Sequence, residues 1–431
     1  MSGVVAVLLA LALAPHVAAG VTYPPAVGEY VLASGGGTPF GVHISGTKVV
    51  WYESVEVGDE TTSTSWCYDL ETGLKRELTT QGGEPLGDIA DFSGSLVVYG
   101  RFTPESSYDV YCYDIDTGIE TRLTNDPADQ MGPVVGGTKV FYQDYSSGDS
   151  DIWVHDLVTH ENKPLVVGPG DQVFPVVSGT KLVYFDANSG RVVCLDLTTT
   201  IKQTLAVSGG IPYISGNKVV WTQGSHYFPD EGTASQDVYC RDLATGVTKR
   251  ITTSSRNEEA VGVAGSRVFY HDFSGFDTWT LKFYDLNTGI TQQVTTVARE
   301  EESFWGNEVV CPSLHEGVLL YELGKPKAYV ATPIAPTTIS HTRYYTVYGY
   351  LKPRHASGGY PVRIYKYRYV SGHWKSYGYL SAKASNYSTY TKYSRSIKLP
   401  YKGKWRVRAY APADSGHVAT WSSGYDYVTV K

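Results

Sequence analysis

Along most of the chain, apolar residues come in short bursts, not at helical spacing. Clusters such as VVWY (49–52), VVY (97–99), VFY (140–142), LVY (182–184) and VVW (219–221) follow a Gly-x-Lys turn or a close variant. A second set alternates with period two: Ser65/Cys67, Val110/Cys112, Ile152/Val154, Val192/Cys194, Val238/Cys240, Leu281/Phe283 and Val318/Leu320. Bursts of this length between Gly, Asp and Ser clusters predict strands, and period two puts each pair on one strand face.

The bursts belong to two strings that repeat in turn. One is ISGTKVVWYE (44–53), with copies beginning at 92, 135, 177, 214, 263 and 304; the other is WCYDLETG (66–73), with copies at 111, 153, 193, 239 and 282 and a degenerate LLYEL at 319–323. The seven copies are spaced 37 to 49 residues apart. Each period holds a short strand ending in Ser-Gly, a KVVWY strand, a YDL strand and a polar strand such as KRELTT. In the turn after YDL, Asp69 is suited to accept backbone N–H groups and Gly73 to take positive φ. Four antiparallel strands at this period predict a β-propeller, because one blade cannot bury both its faces and stacked blades can. We expect seven blades, with six as the alternative. GEYVLASGGG (28–37) resembles a blade's last strand and is expected to complete the seventh. The cysteine slot is apolar in every repeat, so the thiols are expected buried and unpaired.

Repeats of the form VSGTKLVYFD and SGDSDIWVHDLVTH resemble the TolB-type propellers of prokaryotic cell-surface proteins over residues 28–325. That resemblance implies a rigid interaction platform, and it is poorly specific for function.

Charge and composition divide the chain. Residues 341–431 carry sixteen Lys and Arg against Asp414 and Asp426, a balance of +14, whereas the remainder carries −21. The same stretch holds seventeen of the thirty-five tyrosines. Its alternating segments, among them VRIYKYRYV and KWRVRAYA, predict a small β-sandwich in which Trp405, Val407 and Ala409 face inward and Arg406 and Arg408 outward. It resembles the Ig-like or fibronectin-III-like modules that end actinobacterial and related surface proteins. At the other end, MSGVVAVLLALALAPHVAAG reads as a signal peptide without basic residues before its apolar run. The expected organisation is a signal peptide at 1–19, a propeller at 20–333 and the Ig-like sandwich at 334–431.

Catalytic signatures are absent: no G-x-S-x-G elbow, H-E-x-x-H, P-loop or Cys/His zinc spacing occurs. The expected function is therefore that of a secreted or cell-surface, non-enzymatic binding or scaffold protein without a membrane span. The alternative is a propeller glycoside hydrolase or lyase acting on surface glycans. In a propeller, the loops that enter a blade share a face with those joining its second and third strands. Asp126, Asp129, Asp171, Glu258, Glu259, Glu300, Glu301 and Glu302 lie in entering loops, and are read as an acidic face for a cationic partner. Asp144, Asp149 and Asp151 form a candidate calcium site; no other cofactor is expected. In the tail, Arg363, Lys366, Arg368, Arg406 and Arg408 are read as a basic surface for an envelope polymer or surface protein. Docking of this tail on the propeller's own acids is a further option. Nucleic acid is not expected for an exported protein.

Overall fold

A computed structural model of the chain describes residues 28–33, 37–57, 60–104, 107–224, 236–275, 278–295, 302–313, 317–324, 328–352, 361–387, 390–413 and 418–431. The expected signal segment lies outside them. They form strands and turns, with no helix. Two compact units are distinguished: Met1–Pro169 with Glu301–Trp305 and Val309–Glu322, and Gly170–Glu300 with Gly306–Glu308 and Leu323–Lys431.

The first unit holds three consecutive antiparallel sheets of four strands. They run Thr38–Ser45 to Leu74–Leu78, Asp88–Ser93 to Ile119–Arg122, and Gln130–Gly136 to Glu161–Val166. Its fourth sheet is discontinuous. Gly28–Ala33 pairs antiparallel with Gly317–Glu322, Tyr30 standing opposite Leu320, and Glu308–Ser313 and Ser303–Trp305 complete the order. The N-terminal strand thus supplies the fourth strand of the last repeat, as its pattern predicts.

Neighbouring sheets bury one another's faces. Val50, Cys67 and Leu78 of the first share one cluster with Leu86, Phe92, Val97 and Tyr99 of the second. Cys112, Val98 and Val110 do the same with Val135, Val140 and Tyr142 of the third. Each such side chain contributes about 1.5–3 kcal/mol through its removal from water. All five cysteines are buried and free. Burial pushes the thiols of Cys112 and Cys240 up to about 12.

The second unit repeats the pattern in Gln172–Ser178 to Lys202–Ala206, Pro212–Ser215 to Val247–Arg250, and Glu258–Ala264 to Ile290–Thr295. Here Val183, Cys194 and Leu205 pack on Val219 and Trp221, and Val220, Val238 and Cys240 pack on Val268 and Tyr270.

One tie explains why the repeat is written as it is. The residue after the motif Asp or Glu donates its N–H to the turn between the first two strands of its own sheet. The pairs are Leu70 to Thr47, Ile115 to Ser95, Leu157 to Thr138, Leu197 to Thr180, Leu243 to Asn217, Leu286 to Ser266 and Leu323 to Asn307, all at 2.7–2.9 Å. Even the degenerate LLYEL keeps it. The Asp side chain caps its own turn: Asp69 Oδ1 accepts the N–H groups of Glu71 and Thr72, and Asp285 Oδ1 those of Asn287 and Thr288. Lys139, Lys181 and Lys218 then reach across to Asp156, Asp196 and Asp242. The Lys139 ammonium and two turn N–H groups hold the Asp156 carboxyl down at about 2.

Two further sheets in the second unit are built from the C-terminal segment. One runs Tyr329–Val330, Tyr345–Lys352, Thr391–Ile397, Lys383–Asn386; the other runs Thr338–Ile339, Asp426–Val430, Gly403–Ala411, Arg363–Val370, His373–Ser381, with Thr420–Trp421 on Gly403–Ala411. They enclose one core that includes Val347, Leu351, Ile364, Tyr393, Trp405, Val407, Ala409 and Val428. Trp405, Val407 and Ala409 are buried, and Arg406 and Arg408 between them are partly exposed, as the alternation predicts.

Candidate binding surface

The predicted basic residues of the tail do not all share a face. Directly opposed residues in adjacent strands point to the same side of a sheet. Lys366 stands opposite Val407 and Arg368 opposite Trp405, so both lie on the core side. Burial lowers the Lys366 ammonium below its ordinary value. Arg368 lies 5.0 Å from the Tyr401 ring centroid and donates from Nη2 to the Lys402 carbonyl at 2.9 Å.

Arg363, Arg406 and Arg408 are gathered on the outer side. The register sets three rows across the sheet: Tyr427, Arg406 and Tyr367; Arg408, Tyr365 and Tyr379; Trp421, Tyr410 and Arg363. An irregularity between Tyr365 and Tyr367, opposite Gly378 at φ +70°, lets Tyr377 turn to the core while Tyr379 stays outside. Trp374, opposite Tyr369, stands on the same side one step beyond the first row.

Each of these arginines is held by rings. The Arg406 guanidinium carbon lies 3.7 Å from the Tyr425 centroid, 4.5 Å from Trp374 and 5.3 Å from Tyr367. Its Nε is buried with no hydrogen-bond partner. Arg408 lies 5.1 Å from both Trp421 and Tyr425, and donates from Nε and Nη2 to the Ser422 carbonyl at 3.0 Å. Arg363 lies 5.0 Å from Tyr379 and 5.8 Å from Tyr410. Among the described residues no carboxylate pairs with any of the three. Asp426, opposite Val407 on the neighbouring strand, accepts the N–H groups of Ala335 and Tyr427 instead. Rings attract a cation through their quadrupole without neutralising it, so this face keeps its positive charge.

The acids of the sheet repeats are engaged differently. In the first unit, Asp129 accepts the Ser107 hydroxyl and the Tyr108 N–H, which holds its carboxyl below the usual range. Asp126 is exposed and accepts the Ala128 N–H at 3.1 Å. Glu302 is partly exposed; Glu300 and Glu301 lie outside the described residues. Asp144 holds the N–H and hydroxyl of Ser146, and the Ser147 hydroxyl lies 2.9 Å from carboxylate oxygens of both Asp149 and Asp151. Asp151 also accepts the Gly168 N–H. Among the described residues no group of three or more His, Cys, Asp or Glu is arranged to hold a metal. A cleft of about 360 Å³ is lined by Tyr52, Glu84, Asp88 and Arg101, among others. Its Arg101 is paired to Glu120 at 2.7 Å.

In the second unit Asp171 and Glu259 are exposed, whereas Glu258 is only 3% exposed. It opens its strand opposite Asp272, a position taken by Gln130 opposite Asp144 and Gln172 opposite Asp186 in two other sheets. Both glutamines donate from Nε2 to the carbonyl two residues earlier, at 2.7 Å. Glu258 accepts the Ser254 hydroxyl on Oε1, and its Oε2 has no hydrogen-bond partner. Burial, reinforced by the Asp272 and Asp237 charges, raises its carboxyl above the ordinary range.

Two further acids are each held by an arginine and a threonine hydroxyl. Asp109, fully buried, pairs with Arg122 at 2.6 Å and with the Thr124 hydroxyl, which in turn accepts the Val110 N–H. Asp237 repeats this with Arg250, Thr252 and Val238. The signal was available: DVYC is followed by Arg-x-Thr at the same distance in both copies.

No protein-family model and no curated protein matches the sequence. Solved structures do resemble it. The β-propeller domain of the trilobed protease from Pyrococcus furiosus is 10% identical, with a TM-score of 0.50, over 74% of this chain and 94% of that one. The acylaminoacyl peptidase of Pyrococcus horikoshii is 11% identical, with a TM-score of 0.50, over 75% of this chain; the match spans 59% of the peptidase's length. TolB from Acinetobacter baumannii is 17% identical over 64% of this chain and 79% of that one, with a TM-score of 0.40. These identities speak for fold alone: the repeats form a β-propeller. The protease domain is described as having an open velcro topology, whereas here Gly28–Ala33 pairs with Gly317–Glu322 from the far end of the repeats.

Proposed function

We propose that the chain is a secreted or cell-surface binding protein without enzymatic activity. Its repeats are read as a closed seven-bladed propeller of the TolB type that serves as a rigid platform. Its C-terminal pair of sheets is read as an Ig-like module that contacts an anionic envelope polymer. Seven four-stranded sheets, with the first strand of the chain joined to the last repeat, support the blade number. The repeat strings quoted above support the TolB kinship.

The observation that carries the proposal is the outer face of the C-terminal sheet. Three arginines there are held by aromatic rings and, among the described residues, by no carboxylate, on a segment with a balance of +14. Charge of that kind remains available to a partner, and a binding role needs no catalytic constellation. The test is co-sedimentation of the full chain with purified cell-envelope fractions at low and high salt. Sedimentation at low salt with release at high salt is expected. Failure to sediment at low salt refutes the envelope contact.

A further inference from the structure

We propose that the outer face of the sheet containing Gly403–Ala411 and Arg363–Val370 is a binding site for an acidic polysaccharide. The inference rests on the anionic-polymer reading above and names the chemistry of that polymer: sugar rings bearing carboxylate or sulfate groups.

The geometry has two periodic components. Arg406 and Arg408 stand two residues apart on one strand, about 7 Å along it. Arg363 stands opposite Tyr410, two residues beyond Arg408, and adds a third step of similar length. A polyanion lying along the strand meets a guanidinium at each step. Each guanidinium offers a planar fork of donors suited to an oxyanion. Arg408 has turned Nε and Nη2 to the Ser422 carbonyl, which anchors its plane.

The second component is aromatic. Tyr369, Tyr379, Trp421 and Tyr427 flank the arginines and are 38–57% exposed. A charged chain without rings would leave these surfaces idle. Sugars would use them, since a pyranose presents an apolar C–H face to a ring. Nucleobases prefer flat open stacking platforms. Here the rings lean on one another at 52–62° in the pairs Tyr410–Trp421, Tyr365–Trp421, Tyr369–Trp374 and Trp374–Tyr427. That leaves single faces and edges and no parallel slot for a base.

The test measures affinity of the full chain for five probes at one salt concentration: polygalacturonate, dextran sulfate, uncharged dextran, inorganic polyphosphate and single-stranded DNA. Both acidic sugars are expected to bind, dextran is not, and polyphosphate and DNA are expected to bind about tenfold more weakly at equal charge. Arg406→Gln is expected to weaken the acidic sugars about tenfold, the loss of a charge-assisted hydrogen-bond set. Arg406→Lys should recover only part of that, because the ammonium keeps the charge and loses the fork. Tyr369→Ala with Tyr427→Ala should weaken the acidic sugars about threefold and leave polyphosphate unchanged. All four substitutions are on the outer face, and a melting temperature within a few degrees of wild type verifies that each variant folds. If polyphosphate or DNA binds as tightly as the acidic sugars, the sugar assignment falls and the anionic-polymer reading survives. If no acidic probe binds, both fall.

Discussion

The turn after the YDL strand offers an internal experiment on backbone strain. Six sheets close it identically: the fourth residue after the motif Asp donates its N–H back to that Asp's carbonyl at 2.7–2.8 Å. Four use glycine, Gly73, Gly118, Gly246 and Gly289, at φ +70° to +73°. The other two place His160 at φ +57° and Thr200 at φ +60° in the same role. A side chain there meets its own backbone, at a cost of about 1–2 kcal/mol and more for a β-branched residue. Glycine avoids that but loses about 0.5–1 kcal/mol in unfolded-state entropy. Thr200 is exposed, and its hydroxyl bonds only to the adjacent Thr199 carbonyl, so water replaces that contact. Thr200→Gly should therefore stabilise the protein by about 1 kcal/mol, raising the urea midpoint by roughly 0.3–0.5 M with an unchanged slope. Gly118→Thr should lower the midpoint by a comparable amount. A lower midpoint for Thr200→Gly, or no change for Gly118→Thr, refutes the reasoning.

Further outcomes follow from buried charge and burial. Glu258 has its folded-state carboxyl raised, so the stability tied to it is full below the ordinary carboxylate range and is lost as pH rises through the raised value. Glu258→Gln should match the wild type in urea stability at pH 4 and exceed it at pH 8. Arg122→Ala removes the Arg122 guanidinium from the fully buried Asp109 carboxylate; it should cost about 3 kcal/mol, read as a fall in urea midpoint, and Arg122→Ala with Asp109→Asn should recover part of it. The five buried thiols should resist a maleimide in the native protein and all react in denaturant. Calcium and chelator should give the same melting temperature, because Ser146, Ser147 and the Gly168 N–H already hold Asp144, Asp149 and Asp151.

The sheets were legible because their turn chemistry is local and is written out in every repeat. Asp at the strand end in six copies, an apolar residue after it in all seven and Gly four residues on in four each have one short-range task, and the repetition exposes it. The pairing of Gly28–Ala33 was legible because the last repeat lacks a fourth strand of its own. What escaped the sequence reading depends on register. Lys366 and Arg406 look alike along the chain, and only the partner strand shows that one faces Val407's side and the other the outside. Glu258 reads as a loop acid until its strand is seen to begin there, opposite Asp272. Its sister positions, Gln130 and Gln172, carried the missing hint that this site holds a neutral hydrogen-bonding side chain.

Arginine has opposite duties in the two kinds of sheet, and this makes the functional reading separable from stability. In the repeats Arg122, Arg250 and Arg101 meet Asp109, Asp237 and Glu120 at 2.6–2.7 Å. Their charge is neutralised where it stands, so it strengthens the sheet and offers little to a distant anion. In the C-terminal sheet Arg363, Arg406 and Arg408 lean on rings, each contact adding about 0.5–1 kcal/mol at exposed sites, and no carboxylate among the described residues compensates their charge. Substituting Arg122 should therefore lower stability and leave polyanion affinity unchanged in the fraction that remains folded. Substituting Arg406 should do the reverse: a melting temperature within a few degrees of wild type and an affinity lower by about tenfold, with a shallower dependence on salt. If Arg122→Ala reduced polyanion affinity as much as Arg406→Gln, binding would follow overall charge and not the ring-held arginines. The division of labour between the two sets of sheets would then be wrong.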